Sequence, residues 1–478
     1  MSHAIAPRRR ICMISHEVIG EMLAGPGIRY LELARVLAEQ FDLILAAPNP
    51  PNVWNESFAL HSYTHGIWPS LQGAVEGAEI LIASGFSLYE FPALQQLGIP
   101  TVIDIYDPFP LESYHTFEGD EGKLKAYRNS TVVLDALTRC GDLFLCANER
   151  QRDWWLGVLQ GAGRVNPATM NDDATLRRLI DELPYGFPSH PFAAQGRGPR
   201  TRPSIAPDDK LILWGGGLWN WLDPLTVIRA MPQLLESVPN ARLLFPGTRH
   251  PNPTVPPMAR TQEAFDLAEA LGLRDSHIFF EAWVPYDSWP AYLADADVAV
   301  SLHYNTLETR FAAVRSRILS YIWARLPTVA TEGDVASTLI AQHGIGEVVP
   351  EQDAHAVATA LQRILAQGKA TYASHFDGLA QRYTWHRVAQ PLVDFCHHPY
   401  RAADKIGPWP ARFATIAMGP ADASTPLPST EADALRAELA AAHDLIERYE
   451  SGRFMRLMKR LKRGLDRFVS PQTSDHHA

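Results

Sequence analysis

Apolar residues in the first part of the chain fall into short, nearly unbroken runs separated by longer stretches of helical periodicity. The runs are Ile11-Cys12-Met13-Ile14-Ser15, Leu43-Ile44-Leu45-Ala46, Ile80-Leu81-Ile82-Ala83, Thr101-Val102-Ile103-Asp104 and Leu143-Phe144-Leu145-Cys146. A Gly25-Pro26-Gly27 turn and an amphipathic stretch from Ile28 to Glu39 lie between the first two. Strands that are apolar throughout, alternating with helices, predict a parallel sheet covered on both faces. A Gly/Pro/Arg-rich segment over 194–203 interrupts the pattern and predicts an interdomain linker. A second series follows: Lys210–Trp214, Arg242–Phe245, His277–Phe280, Val298–Val300, Thr328–Ala330 and Glu347–Val349. The whole predicts an α/β chain of two doubly wound domains facing a cleft, with a helical tail. Ligands of such sheets bind at the carboxyl ends of the strands.

The expected boundaries are 1–195 and 205–385 for the two domains, with a helix over 386–415 returning to the first. A flexible linker over 416–430, rich in Pro, Ser and Thr, leads to a helical segment over 431–470 and a disordered tail over 471–478. Leu435, Leu439, Ala442, Ile446 and Tyr449 make a heptad seam of about two repeats, suited at most to weak self-association through 435–449. Beyond it, Phe454, Leu457, Met458, Leu461, Leu465 and Phe468 line one helical face. Seven basic residues against Asp466 give +6 over 453–467, so the net −10 of the whole chain leaves −16 for the rest. A basic amphipathic helix suits an anionic membrane surface, and 453–468 is read that way, the alternative being a helix packed on protein.

With 478 residues and 46% hydrophobic content, the chain is long enough for two or three cores. The negative charge argues against nucleic-acid binding. Cys12, Cys140, Cys146 and Cys396 show neither zinc nor redox spacing, which predicts reduced thiols and a cytoplasmic setting. The start of the chain has no apolar leader pattern, and no run of 18 apolar residues predicts a membrane span.

Candidate chemistry sits where strands end. Gly25, Gly27 and Arg29 occupy the first strand–helix turn, where glycine allows close backbone approach and a helix start offers N–H donors. Asp104 and Asp107 close the Thr101–Asp104 run, where carboxylates suit polar sugar binding or simply cap a turn. His16 is a further residue at the cleft edge. Gly215-Gly216-Gly217-Leu218-Trp219 follows the first strand of the second domain, and Arg249 follows the next. Trp283 and Val284 end the strand after that, Trp283 reading equally well as core. Arg310, Arg315 and Arg317 precede a helix over Ile318–Trp323 that Pro327 stops, ahead of the strand Thr328–Thr331. Cations at a helix start suit a pyrophosphate. Asp295-Ala296-Asp297 has the spacing of a D-x-D metal motif but straddles a helix end and a strand start, so it is read as structural.

The Arg315–Thr331 stretch, the triple glycine and the Glu281–Tyr286 loop resemble the donor site of GT-B glycosyltransferases of family GT4, the glycosyl transferases group 1. The resemblance covers about 10–400. It implies two Rossmann-like domains, acceptor first and donor second, and a retaining enzyme. Such an enzyme moves a sugar from a nucleotide-sugar to a glycan or lipid-linked acceptor without a metal or other cofactor. It assigns catalytic roles to Asp104, Asp107, Glu308 and Arg317. Donor contacts fall to Gly25, Gly27, Arg29, Gly216, Gly217, Trp219, Arg249, Trp283, Val284 and Arg315. With the basic tail, it implies polysaccharide synthesis at the inner face of the cytoplasmic membrane. The family's pair of acids is altered: Ser320 stands at the second, and Glu308 is the best match to the first, which holds the donor sugar. That departure keeps a second reading open, a non-catalytic nucleotide- or glycan-binding scaffold.

Overall fold

A computed structural model gives the fold, describing residues 8–53, 56–84, 86–117 and 119–406. Two sheets form, every strand parallel to its neighbours. The first holds β1 (Arg10–Ile14), β2 (Asp42–Ala47), β3 (Ala59–Ser62), β4 (Ile80–Ser84), β5 (Thr101–Asp104), β6 (Leu143–Cys146) and β7 (Ile180–Glu182), in the order β3-β2-β1-β4-β5-β6-β7. The second holds β8 (Lys210–Leu213), β9 (Ala241–Phe245), β10 (Ile278–Phe280), β11 (Val298–Ser301), β12 (Thr328–Thr331) and β13 (Gly346–Val349), in the order β10-β9-β8-β11-β12-β13. In each sheet the chain runs outward on one side of the first strand and returns on the other. The first strand's carboxyl end therefore marks a switch point where loops diverge and a ligand site opens.

The central strands are buried on both faces, Ile11 to Ile14 and Leu211 to Leu213 being fully covered. β3 and β7 were not expected, and both lie at sheet edges. β3 is Ala-Leu-His-Ser and half exposed, while β7 is three residues carrying Asp181 and Glu182. Neither has the apolar run that marks a strand covered on both faces.

Residues 385–405 lie against the first domain. Arg9 donates to the Cys396 carbonyl, Arg164 pairs with Asp404 at 2.6 Å, and Arg401 and Lys405 both reach the buried Asp142. The expected linker over 416–430, the heptad seam, the basic helix and the tail lie outside the described residues. No described helix is long and apolar enough to cross a membrane.

Loops of the two domains bond across the cleft. Trp283 Nε1 donates to the Leu23 carbonyl at 3.0 Å, and the Tyr286 hydroxyl to Glu32 at 3.0 Å. Asn148 reaches the Ala312 carbonyl at 3.0 Å, and Asn220 the His115 carbonyl at 2.9 Å. Gly25 is a point of close approach: a Cβ there would sit 3.3 Å from Ser316 Oγ of the second domain.

Candidate active site

The carboxyl ends of β1, β4, β5 and β8 face a cavity of about 480 Å³ between the domains. A smaller cavity of about 240 Å³ adjoins it, sharing Trp219, His250, Asn252 and Trp283. Of the expected residues, Gly25, Arg29, Asp104, Asp107, Gly216, Gly217, Trp219, Trp283, Arg315 and Arg317 line the larger cavity. Arg249 lines only the smaller one and is exposed. Gly27, Val284 and Glu308 border neither. Gly27 lets the helix Gly25–Ala38 close on the β1 loop, since a Cβ there would meet the Val18 carbonyl at 2.8 Å. Val284 is buried in the core, 8% exposed. Glu308 is 1% exposed behind Arg315.

The charges are organised by pairing. Arg29 Nε and Nη2 donate to the two Asp104 carboxylate oxygens at 2.8 and 2.9 Å, and Nη1 donates to the Pro184 carbonyl. The guanidinium also lies 4.4 Å over the Tyr106 ring. Arg29, expected among the donor contacts, is thus consumed by Asp104. Arg315 does the same with Glu308, at 3.1 and 3.0 Å. Burial opposes the charge on Arg315, but Glu308 more than offsets it and raises its pKa. Its Nε remains without a partner.

Arg317 differs. It is 7% exposed and, among the described residues, has no carboxylate against it. Nη2 donates to the Gly217 carbonyl at 2.9 Å, the guanidinium lies 5.1 Å from the Trp214 ring, and Nη1 has no partner. Burial, and to a lesser extent Arg315, push its pKa down to about 10, so it remains charged at neutral pH but unbalanced. Arg317 stands in the first turn of the helix Ser316–Trp323, which has no side-chain cap. First-turn N–H groups lack intrahelical partners and carry the positive end of the dipole. Gly216 lies beside it at φ +73°, a left-handed conformation suited to glycine. A Cβ on Gly247 would meet the Gly216 carbonyl at 2.6 Å, so the two loops meet backbone to backbone. Ser320, one turn on, bonds back to the Ser316 carbonyl and does not face the cavity. Asp295 and Asp297 both hold Arg200.

On the first-domain wall, burial raises the pKa values of Asp107 and Glu112, as does mutual repulsion among Asp107, Asp104, Glu308 and Glu112. Both shifts favour the protonated form of Asp107 and Glu112 over the charged one. Burial also pushes Glu17 up to about 7, with partial relief from Asn252 of the second domain. Trp219 stacks on Trp221 at 5.1 Å and lies 5.4 Å from His250. Burial lowers His250 to about 4. Its Nδ1 accepts from the Asn252 N–H at 3.1 Å, which leaves its proton on Nε2. Glu17, Glu112, His250 and Asn252 were not singled out from sequence, being lone polar residues in loops. Triplet glycines and arginine clusters are more visible.

Residues 209–367 match the family Glycosyl transferases group 1. The second domain is a group 1 glycosyltransferase domain, and the chain is a glycosyltransferase. Its GT-B fold recurs in WaaG, a glycosyltransferase involved in lipopolysaccharide biosynthesis (TM-score 0.59, 16% identity, 81% of this chain and 100% of that one). HepE of Anabaena, solved with UDP-glucose, superposes with a TM-score of 0.59 at 15% identity, over 81% of this chain and 99% of that one. Sucrose-phosphate synthase from Thermosynechococcus elongatus gives 0.55 at 17% identity, over 82% and 98%. No curated protein matches the chain by sequence. In this glycosyltransferase the family match spans β8 to β13 and so covers the Gly216–Gly217 loop, Arg315 and Arg317.

Proposed function

We propose that this glycosyltransferase moves a sugar, with retention of configuration, from a nucleoside diphosphate sugar to a glycan or lipid-linked acceptor in cell-surface polysaccharide synthesis. The observation that carries the donor reading is Arg317, a buried cation of the cleft wall that has, among the described residues, no counter-ion and one donor atom without a partner. A diphosphate supplies the missing negative charge. As the glycosidic bond breaks, charge develops on the leaving diphosphate. Arg317, Arg315 Nε and the uncapped helix start are positioned to stabilise it, without a metal in that role. Asp104 and Glu308 are each committed to an arginine, so Asp107, Glu112 and Glu17 are the cleft carboxyls left to hydrogen-bond the sugar.

HepE was solved with UDP-glucose, and WaaG works in lipopolysaccharide synthesis; both support the reading. Retention rests on the family resemblance. The basic face at 453–468 supports attachment to the inner face of the cytoplasmic membrane.

Release of free nucleoside diphosphate from a panel of UDP-, GDP- and dTDP-sugars, with lipid-linked acceptors added, tests it. One donor is expected to react. Arg317→Ala should slow that reaction about 100-fold or more, the usual effect of losing a transition-state donor. An unchanged rate would overturn the role of Arg317.

A further inference from the structure

The carboxyl edge of the first sheet carries a side-chain cluster that donor binding does not use. His16 lies two residues past β1, His65 three past β3, and Glu90 ends the helix Ser87–Glu90 after β4. Three separate loops thus bring two imidazoles and a carboxylate together, with one ligand atom of each within 4.8 Å of the others. His65 Nδ1 is 2.8 Å from Glu90 Oε2, and His16 Nδ1 is 4.0 Å from the same oxygen. His16 Nδ1 is buried and, among the described residues, has no hydrogen-bond partner, an unusual state for a polar atom.

The rings are held from outside the cluster. Phe86 stacks on His16 at 5.0 Å, Tyr63 meets His65 edge-on at 5.6 Å, and the Tyr63 hydroxyl donates to the Ser15 carbonyl at 2.8 Å. Zinc ligands at about 2.0–2.2 Å from the ion lie roughly 3.3 Å from one another in a tetrahedron. The spacings of 2.8 and 4.0 Å bracket that value, so modest ring rotations would close the set.

We propose that His16, His65 and Glu90 bind a transition-metal cation of the Zn²⁺ class. Two imidazoles select such an ion over Mg²⁺ or Ca²⁺, which prefer oxygen. Three protein ligands leave a fourth coordination position for water. The ion pins the β1, β3 and β4 loops together. The inference stands on this geometry and is independent of the donor reading.

The test uses untagged full-length protein, stripped with chelator and titrated calorimetrically with Zn²⁺ alone. His65→Ala, Glu90→Gln and His16→Ala serve as comparisons. The chain has other histidines, so the difference between wild type and variants is what counts. One Zn²⁺ per chain is expected to be lost in His65→Ala and bound at least tenfold more weakly in Glu90→Gln and His16→Ala, with millimolar Mg²⁺ failing to compete. Saturating Zn²⁺ should raise the Tm of wild type by about 3 °C, and that of His65→Ala by nothing. No saturable binding, or equal stoichiometry and affinity in wild type and the two histidine variants, would overturn the site. Glu90→Gln keeps the shape of the side chain and reads the site even if a histidine variant folds poorly. No arm depends on sugar transfer, so failure of the donor reading leaves this result interpretable.

Discussion

Arg29 and Asp104, 75 residues apart, form a two-bonded ion pair at the floor of the cleft, with 1% and 6% of their side chains exposed. The pair joins the helix after β1 to the end of β5, and through the Pro184 carbonyl to the segment after β7. Removing one partner leaves a buried charge uncompensated, which typically costs about 3–5 kcal/mol. Arg29→Ala is expected to lower stability by that order, and Asp104→Asn to do likewise. The double change should lose clearly less than the sum, read from denaturant midpoints in a double-mutant cycle. If Arg29 served donor phosphate instead, Arg29→Ala would raise donor KM and leave the midpoint in place.

Arg317 calls for the opposite sign. Its charge is held in the folded protein against burial, with its pKa down at about 10 from 12.5. Replacing it by Met removes an unbalanced cation, with its contact to the Trp214 ring, and keeps an unbranched apolar side chain of similar reach. The variant is expected to be more stable by roughly 1–3 kcal/mol while losing donor binding, a trade of stability for function. Thermal unfolding with and without donor checks both halves. A destabilised Arg317→Met that still gains Tm from the donor would refute the assignment.

The different fates of Arg29, Arg315 and Arg317 show what sequence alone carries. All three read as cations near helix starts that serve the donor. The carboxylate that claims Arg29 is 75 residues away, and the one that claims Arg315 is seven residues back at the start of a separate short helix. Neither pairing has a periodic signal. The sheets were legible because Ile11–Ile14 and Leu211–Leu213 must be apolar on both faces. Half-exposed edge strands such as Ala59–Ser62 are under no such demand. His16 looked like an isolated histidine, and only strand order brings His65 and Glu90 to it.

Glu17 gives a pH signature. Its pKa is about 7 in the folded protein against 4.5 ordinarily. Below pH 4.5 both states are protonated. Between 4.5 and 7 the unfolded chain releases this proton and the folded one keeps it, so its contribution to stability falls with rising pH and is flat above 7. Glu17→Gln is expected to flatten that part of the profile and stabilise the protein at pH 8 by at most about 3 kcal/mol. Chemical denaturation of both forms between pH 4.5 and 8 checks it. Parallel profiles would show that Glu17 ionises freely.

The basic face at 453–468 predicts a partition between membrane and water. Deleting 450–478 should abolish sedimentation with vesicles rich in phosphatidylserine or phosphatidylglycerol. Raised salt should weaken binding of the intact chain. Donor hydrolysis in solution should be unchanged by the deletion. Full vesicle binding by the truncated chain would remove the tail from this role.

Glu308 separates two accounts of the cleft. In the structure it faces away from the cavity and neutralises Arg315 through two hydrogen bonds. Glu308→Gln keeps the shape and removes the charge, so Arg315 becomes a second unbalanced cation two residues from Arg317. Folding stability should drop by about 3 kcal/mol, for the same reason as in the Arg29 pair. Affinity for inorganic pyrophosphate, measured calorimetrically, should rise several-fold, because an unpaired guanidinium at the cavity wall attracts the anion more strongly than a paired one. The resemblance to family GT4 puts Glu308 in contact with the donor sugar. On that account pyrophosphate affinity stays where it is, and affinity for the intact donor falls. A gain in pyrophosphate affinity supports the first account, and an unchanged pyrophosphate affinity with weaker donor binding supports the second, so a single titration pair decides whether Glu308 works on the sugar or on the arginine.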